Sequence, residues 1–356
     1  MPWYQQPSAY RPFSLRSMVM LKVMITIFLF VMAINVFNFP FGSAIICITP
    51  LLLICYDPNL IRYMHWQLPI GFLLGLFFGW SALNLFATSW LLTVIGMSGW
   101  CLFWFYFGET SDLLLVPSRI ISIVPVILLN LVQTGQAASI PMTFEMLVLF
   151  NCVGVIAYKT IDFLVFPIAH DYHHQFFFST EIKQYIHHLH FNKTHLFHAL
   201  QFLISILFIM GLNHYLNFPG NAIITTALVS AIVVSSSIAE KLIKNIQYRF
   251  AGNVFGAILG GLCLVSFNYY HFAWVMIGVV TLCFGFFAYL SLTNLRLTSF
   301  SIQAGFSYIA VDPMQTFTGD LQMGLLRLLG VLYGCAVVYI VNLLGRKLIR
   351  HYFFNQ

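Results

Sequence analysis

Two arginines lie within apolar stretches of the sequence and are the residues best suited to bind a charged ligand. Arg327 stands in the heptapeptide GLLRLLG, and Arg249 opens a glycine-rich apolar stretch. A cation inside a membrane helix costs about 2.5–3.5 kcal/mol on insertion scales, so each should face a partner group or a watery cavity. A guanidinium donates paired hydrogen bonds that match a carboxylate. Both arginines are therefore candidates for contact with an anion, and structural ion pairing is the alternative.

Acidic residues in or near the apolar stretches supply the competing explanation. Glu145 lies at a depth similar to that of Arg327 and could pair with it, as could Asp320. Glu145 could instead carry a coupling proton, because burial favours the protonated carboxyl group. Asp312 is a second candidate for a coupling acid, although it precedes Pro313 and would also suit a turn. The sequence leaves these roles open.

Glycines recur at every fourth residue in two stretches, which we call the glycine ladders. The first ladder is Gly71, Gly75 and Gly79, and the second is Gly252, Gly256 and Gly260. Glycine at this spacing flattens one helix face, so that another backbone can approach closely. A flat face favours helix packing, and it also leaves room for a solute if the helices line an axial path. The two interpretations are compatible.

Histidines concentrate in one polar segment of the chain, between His170 and His198. His170, His173 and His174 spell HxxHH, one of the boxes of membrane di-iron desaturases and hydroxylases. Such enzymes need several boxes, and the remaining histidines form no second HxxHH. We therefore predict no catalytic residue, no cofactor and no enzymatic activity. A regulatory metal or pH-sensing site at these three histidines is the alternative to a solvated linker.

The composition assigns these residues to a membrane protein. Of the 356 residues, 60% are hydrophobic and 7% are charged, whereas roughly a quarter are charged in an ordinary soluble domain. A soluble fold could not cover its surface with so few charges, and a disordered chain needs more charge and less hydrophobicity. The 7 cysteines lie far apart in apolar runs, without the spacing of a disulfide framework or a metal site. The net charge is +6, but the Lys and Arg residues do not cluster in the sequence as they would in a nucleic-acid-binding surface.

Apolar runs of membrane-spanning length divide the chain, since a hydrocarbon core about 30 Å thick needs about 20 residues per helix. Twelve runs are found, at approximately 18–37, 39–56, 68–86, 88–107, 113–133, 142–166, 196–216, 219–239, 249–267, 271–291, 296–311 and 321–344. The fifth contains Pro125 and the eleventh contains Gly305, so these two are the least regular. We predict an all-α polytopic membrane protein with about 12 transmembrane helices.

An internal repeat with an offset of about 180 residues relates the two halves of the chain. Asn-Phe-Pro opens the second run at Asn38 and the eighth run at Asn217, and the ladders share the same offset. Six spans per half give both halves one orientation, as in transporters with parallel repeats. The predicted domains are a cytoplasmic arm (1–17), a first six-helix repeat (18–167), a cytoplasmic His-rich amphipathic linker (168–195), a second six-helix repeat (196–345) and a basic cytoplasmic tail (346–356).

Lys and Arg residues predict the orientation, because cytoplasmic loops carry an excess of them. The N-terminal arm, the His-rich linker and the C-terminal tail all contain them, whereas the loops around Phe39, Ala87, Gly135, Phe218, Tyr269 and Thr318 contain none. With twelve spans, both termini are expected in the cytoplasm.

The second ladder resembles a motif of the fusaric acid resistance family of aromatic carboxylic acid exporters. Residues 249–260 read RFAGNVFGAILG, similar to the family pattern Arg-x-x-Gly-Thr-x-x-Gly-Ala-x-x-Gly. Asn253 stands where the family usually has Thr, and the first half has Leu68 at the position of Arg249. Arg327 with Gly334 seven residues later is similar to the closing helix of the family. The membrane part of that family is in turn similar to plant aluminium-activated malate channels.

This resemblance implies an efflux permease of the bacterial inner membrane for small organic anions, including aromatic carboxylates. It also implies a periplasmic adaptor of the membrane-fusion type as a partner, and it is compatible with an oligomer. Proton coupling is expected, because the sequence has no P-loop for nucleotide. The predicted substrate path contains Arg327, Arg249 and both glycine ladders. The alternatives are a passive organic-anion channel, or a non-transporting membrane protein or metalloenzyme built on the His-rich linker.

Overall fold

The computed structural model is helical throughout the part of the chain that it describes. It describes residues 13–37, 47–56, 67–85, 89–110, 115–133, 148–149, 151–165, 192–216, 226–231, 239–270, 273–293, 295–311 and 321–353. The helices in these ranges are α1 (Phe13–Phe37), α2 (Ile48–Tyr56), α3 (Gln67–Leu85), α4 (Trp90–Thr110), α5 (Leu115–Gln133), α6 (Asn151–Val165), α7 (Lys193–Leu216), α8 (Ala239–Tyr270), α9 (Ala273–Thr293), α10 (Leu295–Val311) and α11 (Leu321–Phe353). A shorter helical segment covers 226–231.

Several of these helices are long and apolar enough to cross a membrane. Within the described ranges there are 6 such segments, namely Ser17–Phe37, Leu91–Thr110, Lys193–Leu212, Ile243–Ser266, Trp274–Thr293 and Leu325–Gly345. Two shorter apolar helices, Pro69–Asn84 and Ser118–Val132, accompany them. The predicted character of an α-helical, multi-pass membrane protein is therefore confirmed. The number of twelve spans stays a prediction.

The helix boundaries depart from the apolar runs at several points. Helix α5 continues through Pro125 and α10 continues through Gly305, although both residues favour interruption. Membrane helices tolerate such residues, because neighbouring groups satisfy the freed backbone. Helix α7 begins at Lys193 and α11 extends to Phe353, so helices cross the predicted boundaries at 195 and 345. The predicted amphipathic helix of the linker lies almost wholly outside the described residues.

Two apolar cores hold the helices together, and each core combines helices from before and after the His-rich linker. One core joins α1, α2 and α6 with α8, α9 and α10. The other joins α3, α4 and α5 with α7, the segment 226–231 and α11. Helix α1 packs on α9, and α7 packs on α4, where the rings of Phe105 and Phe202 stack with centroids 3.9 Å apart. The first and second parts of the chain are therefore interlocked rather than separate bodies.

Two pairs of helices run parallel in close contact. A Cβ atom built on Gly75 or Gly79 of α3 would contact Val124 or Leu128 of α5, and the contact points ascend together along both helices. On α8 and α10 the same order is found, with Gly252 against Phe300 and Gly260 against Tyr308. The members of each pair therefore share one direction, with α4 or α9 connecting them. Each ladder helix therefore lies beside the second helix after it in the chain: α3 lies beside α5, and α8 lies beside α10.

Candidate functional site

The second glycine ladder forms the closest helix contact of the site. A Cβ atom on Gly252 or Gly256 would collide with the carbonyl oxygen of Phe300 or Ala304 in α10. At Gly260 a Cβ atom would lie 3.0 Å from the carbonyl oxygen of Tyr308. At these three glycines the backbone of α10, rather than a solute, faces α8.

The first ladder makes a comparable contact. A Cβ atom on Gly75 would lie 2.8 Å from Val124 Cβ, and one on Gly79 would lie 2.9 Å from Pro125 Cα. Gly71 is buried in the same helix. The ladders therefore act in helix packing at these positions, and their role in lining a substrate path stays a prediction.

A buried polar cluster lies beside the second ladder, at the contact of α8 with α10. Asn253 donates from Nδ2 to the carbonyl oxygen of Arg249 at 3.0 Å and to Gln303 Oε1 at 3.1 Å. Its Oδ1 accepts a hydrogen bond from Ser307 Oγ. Asn253, Gln303 and Ser307 are each no more than 3% exposed. The side-chain amide of Asn253 thus connects both helices through hydrogen bonds in an apolar surrounding.

Arg249, one helical turn before Asn253, is among the most deeply buried large side chains of the described residues. Its exposed fraction is 1%. Its positive charge acts electrostatically on Arg327 and on the Cys335 thiol, both of which belong to α11. Helix α8 also packs directly on α11. Arg249 therefore lies alongside the last helix, within electrostatic range of the second arginine.

Arg327 contacts the aromatic ring of Phe306 in α10. Its guanidinium carbon Cζ lies 5.0 Å from the ring centroid, within the range of a cation–π interaction. Its Nε atom is buried, and no atom of the described ranges accepts a hydrogen bond from it. The guanidinium of Arg327 thus rests on an apolar ring, and its Nε–H group has no acceptor among the described residues.

The two arginines, the polar cluster and Phe306 form one site built by α8, α10 and α11, which we call the arginine site. Two cations in mutual electrostatic range repel each other, and the repulsion is stronger in an apolar interior than in water. An anion between them would replace this repulsion by attraction on both sides. The arrangement suits the binding of a carboxylate, and the ring of Phe306 adds an apolar surface beside it.

Several predicted site residues lie outside the described residues. These are Glu145, Asp312, His170, His173 and His174, so the ion pair of Glu145 with Arg327 and the metal site at the histidines stay predictions. Within the described ranges, no three His, Cys, Asp or Glu residues are grouped as a metal site would require. Arg119 of α5 forms an ion pair with Glu109 of α4, with Nη2 and Oε1 3.2 Å apart.

Sequence reasoning missed the polar cluster and one buried lysine. Gln303 and Ser307 occur in the eleventh apolar run, which also contains Gly305. They were therefore interpreted only as polar interruptions of a span. The available signal was their spacing: Gln303 and Ser307 are four residues apart, so their side chains share one face of a helix. Lys22 of α1 is fully buried. It lies inside the first predicted span, whereas the orientation was predicted from Lys and Arg residues in the loops alone.

Comparisons with models of protein families, with curated proteins and with solved structures found no significant match to this chain. The resemblance to the fusaric acid resistance family therefore rests on the motifs of α8 and α11 alone.

Proposed function

We propose that this protein is a membrane permease for small organic anions and that it binds the anionic group between Arg249 and Arg327. The observation that carries the proposal is the placement of the two arginines on adjoining helices: Arg249 is 1% exposed on α8, which packs on α11, and the buried Nε of Arg327 on α11 has no hydrogen-bond partner in the described ranges. Charged residues inside membrane proteins typically mark the pathway of an ion or substrate, because their insertion is otherwise unfavourable. A carboxylate is the preferred ligand, since its two oxygens match the paired donors of a guanidinium.

Phe306 supports an aromatic carboxylate as the substrate. Its ring lies against the guanidinium of Arg327, and ring surfaces stack favourably with other rings as well as with cations. A benzoate-like molecule would place its carboxylate at the arginines and its ring beside Phe306. Aliphatic carboxylates would gain only the first of these two contacts.

We further propose that the chain consists of two parallel six-helix repeats with twelve spans. The contacts support this proposal, because they recur at the expected offset: α3 with α5 matches α8 with α10, and α1 with α9 matches α7 with α4. A Cβ atom on Gly154 would meet Thr49, and one on Gly334 would meet Ala227. Both pairs occupy corresponding positions in the two halves.

The arginine site breaks this symmetry. At the positions that correspond to Arg249 and Arg327, the first half has Leu68 and Leu147. Leucine at both positions of the first half indicates that the repeated sequence pattern does not itself require an arginine there. The second half therefore carries an additional function that packing does not require.

Both termini and the His-rich linker are proposed to lie in the cytoplasm of a bacterium, with the helices in its inner membrane. Reporter fusions at Gln175 and Gln356 should both give a cytoplasmic signal, because every loop that carries Lys or Arg falls on the same side of the twelve predicted spans. Alkaline phosphatase and green fluorescent protein fusions measure the two locations independently. A periplasmic signal at either residue would contradict the twelve-span arrangement.

Outward transport driven by the proton gradient is the proposed mode, with a periplasmic membrane-fusion adaptor as the partner. A passive anion channel would use the same arginine site without coupling. Transport measured in proteoliposomes distinguishes them: a protonophore stops uphill movement by a coupled permease, whereas a channel continues to carry anions down their gradient.

Binding of a simple carboxylate tests the proposed function directly. Purified protein in lipid nanodiscs should bind radiolabelled benzoate, and millimolar benzoate should raise its melting temperature. Benzamide has the same ring without the charge and should do neither. Equal effects of the two compounds, or no effect of benzoate, would contradict an anion site.

A further inference from the structure

Helix α10 contacts both of the helices that carry the arginines. It packs against α8, the helix of Arg249, and against α11, the helix of Arg327. The first contact contains Gln303 and Ser307, and Phe306 directly precedes Ser307 in the sequence. Any movement of α10 along α8 therefore also moves the ring on which Arg327 rests.

The glycine ladder allows close approach but specifies little about alignment. Gly252 and Gly256 present no side chain that could interlock with α10, and flat faces in a membrane have no hydrophobic penalty for sliding. Directional hydrogen bonds between buried side chains can specify one register, as a single buried Asn does in coiled coils. Asn253 stands between these two glycines, and its amide bonds to two residues of α10 one turn apart.

We propose that Asn253, Gln303 and Ser307 form a clamp that fixes the register of α10 against α8 and thereby positions the two arginines for the anion. The proposal rests on the proposed function of the arginine site. These three residues act on the anion through Arg249 and Phe306, so they are positioning residues. The clamp sets the separation of the guanidinium groups and, with it, the affinity for a carboxylate.

The register of the helices can be measured without any ligand. Spin labels at Ile243 near the start of α8, which is 41% exposed, and at Ala310 near the end of α10, which is partly exposed, report the displacement of α10 along α8 by pulsed electron resonance. The 7 native cysteines are first replaced by alanine or serine. Ser307→Ala removes one hydrogen bond of the clamp and should shift or broaden the distance distribution.

Ser301→Ala is the matched control. Ser301 lies on the same helix and is also fully buried, but its Oγ forms no hydrogen bond within the described ranges. Its replacement should leave the distance distribution unchanged. Identical distributions for Ser307→Ala, Ser301→Ala and the unmodified protein would overturn the clamp, whatever the ligand of the arginine site is.

The affinity for benzoate supplies the second readout. Loss of one buried hydrogen bond should weaken benzoate binding about fivefold in Ser307→Ala, with less than a twofold change in Ser301→Ala. Equal affinities in the two variants would overturn the positioning role. A shifted distance distribution in a protein that does not bind benzoate at all would instead support the clamp and refute the proposed function.

Discussion

Replacement of Gly256 by leucine should prevent the protein from reaching its folded state. A Cβ atom at this position already collides with the carbonyl oxygen of Ala304 and would lie 2.7 Å from its carbonyl carbon. The obstacle is backbone, which cannot rotate away as a side chain can. Overpacking of a core costs about 1–3 kcal/mol per site, and a rigid obstacle with four added carbons should exceed that range. We expect no monodisperse protein in fluorescence-detected size-exclusion chromatography.

A graded series distinguishes this steric effect from a general intolerance of larger residues. Gly256→Ala should lower the melting temperature, since the collision outweighs the gain of about 1 kcal/mol in helix propensity. Gly278→Leu in α9 is the control, because a Cβ atom there meets nothing within 4 Å. Normal elution and melting of Gly256→Leu would show that α8 and α10 do not touch at this point.

Replacement of Arg327 by alanine should abolish benzoate binding and anion transport while the protein still inserts and folds. A hydrogen bond to a charged group contributes about 1.5–3 kcal/mol, and a paired contact from a guanidinium contributes two of them, so a loss of at least 100-fold in affinity is expected. Arg327→Lys should retain part of the activity with weaker binding, because an ammonium keeps the charge but not the fork. Equilibrium binding in nanodiscs and transport in proteoliposomes measure both variants.

Glu145 offers the competing explanation of Arg327, and an exchange of the two residues decides between them. If the arginine serves only an ion pair, Arg327→Glu combined with Glu145→Arg should recover most of what either single change loses. If it binds the substrate, the exchanged protein should fold but remain inactive. Full transport by Arg327→Ala would exclude both roles.

The positions of the helices were predictable from the sequence, because hydropathy is a local property of the chain. Each apolar run that overlaps the described residues contains a helix, and α3, α4 and α9 agree with their runs within a few residues. The boundaries were less predictable. Pro125 indicated an interruption, yet α5 is continuous because its neighbours pack on it; the Cα of Pro125 is in contact range of Gly79.

The arginine site was predictable in its residues but not in its construction. A guanidinium in an apolar helix is visible in any sequence, so Arg249 and Arg327 were identified at once. Their mutual approach was not visible, since 78 positions separate them and no local period relates them. Asn253 was visible only as a departure from a family motif, because its partners Gln303 and Ser307 belong to another helix.

By itself, the sequence determined that this chain is a helical membrane protein with flat glycine faces and unusual internal charges. These properties follow from composition and from spacing along one helix, which need no knowledge of neighbours. The tertiary structure decided that α10 covers the second ladder, that the cores combine both parts of the chain, and that Arg249 acts on Arg327. Such pairings depend on how whole helix surfaces fit together, and a flat face specifies close approach without specifying the partner.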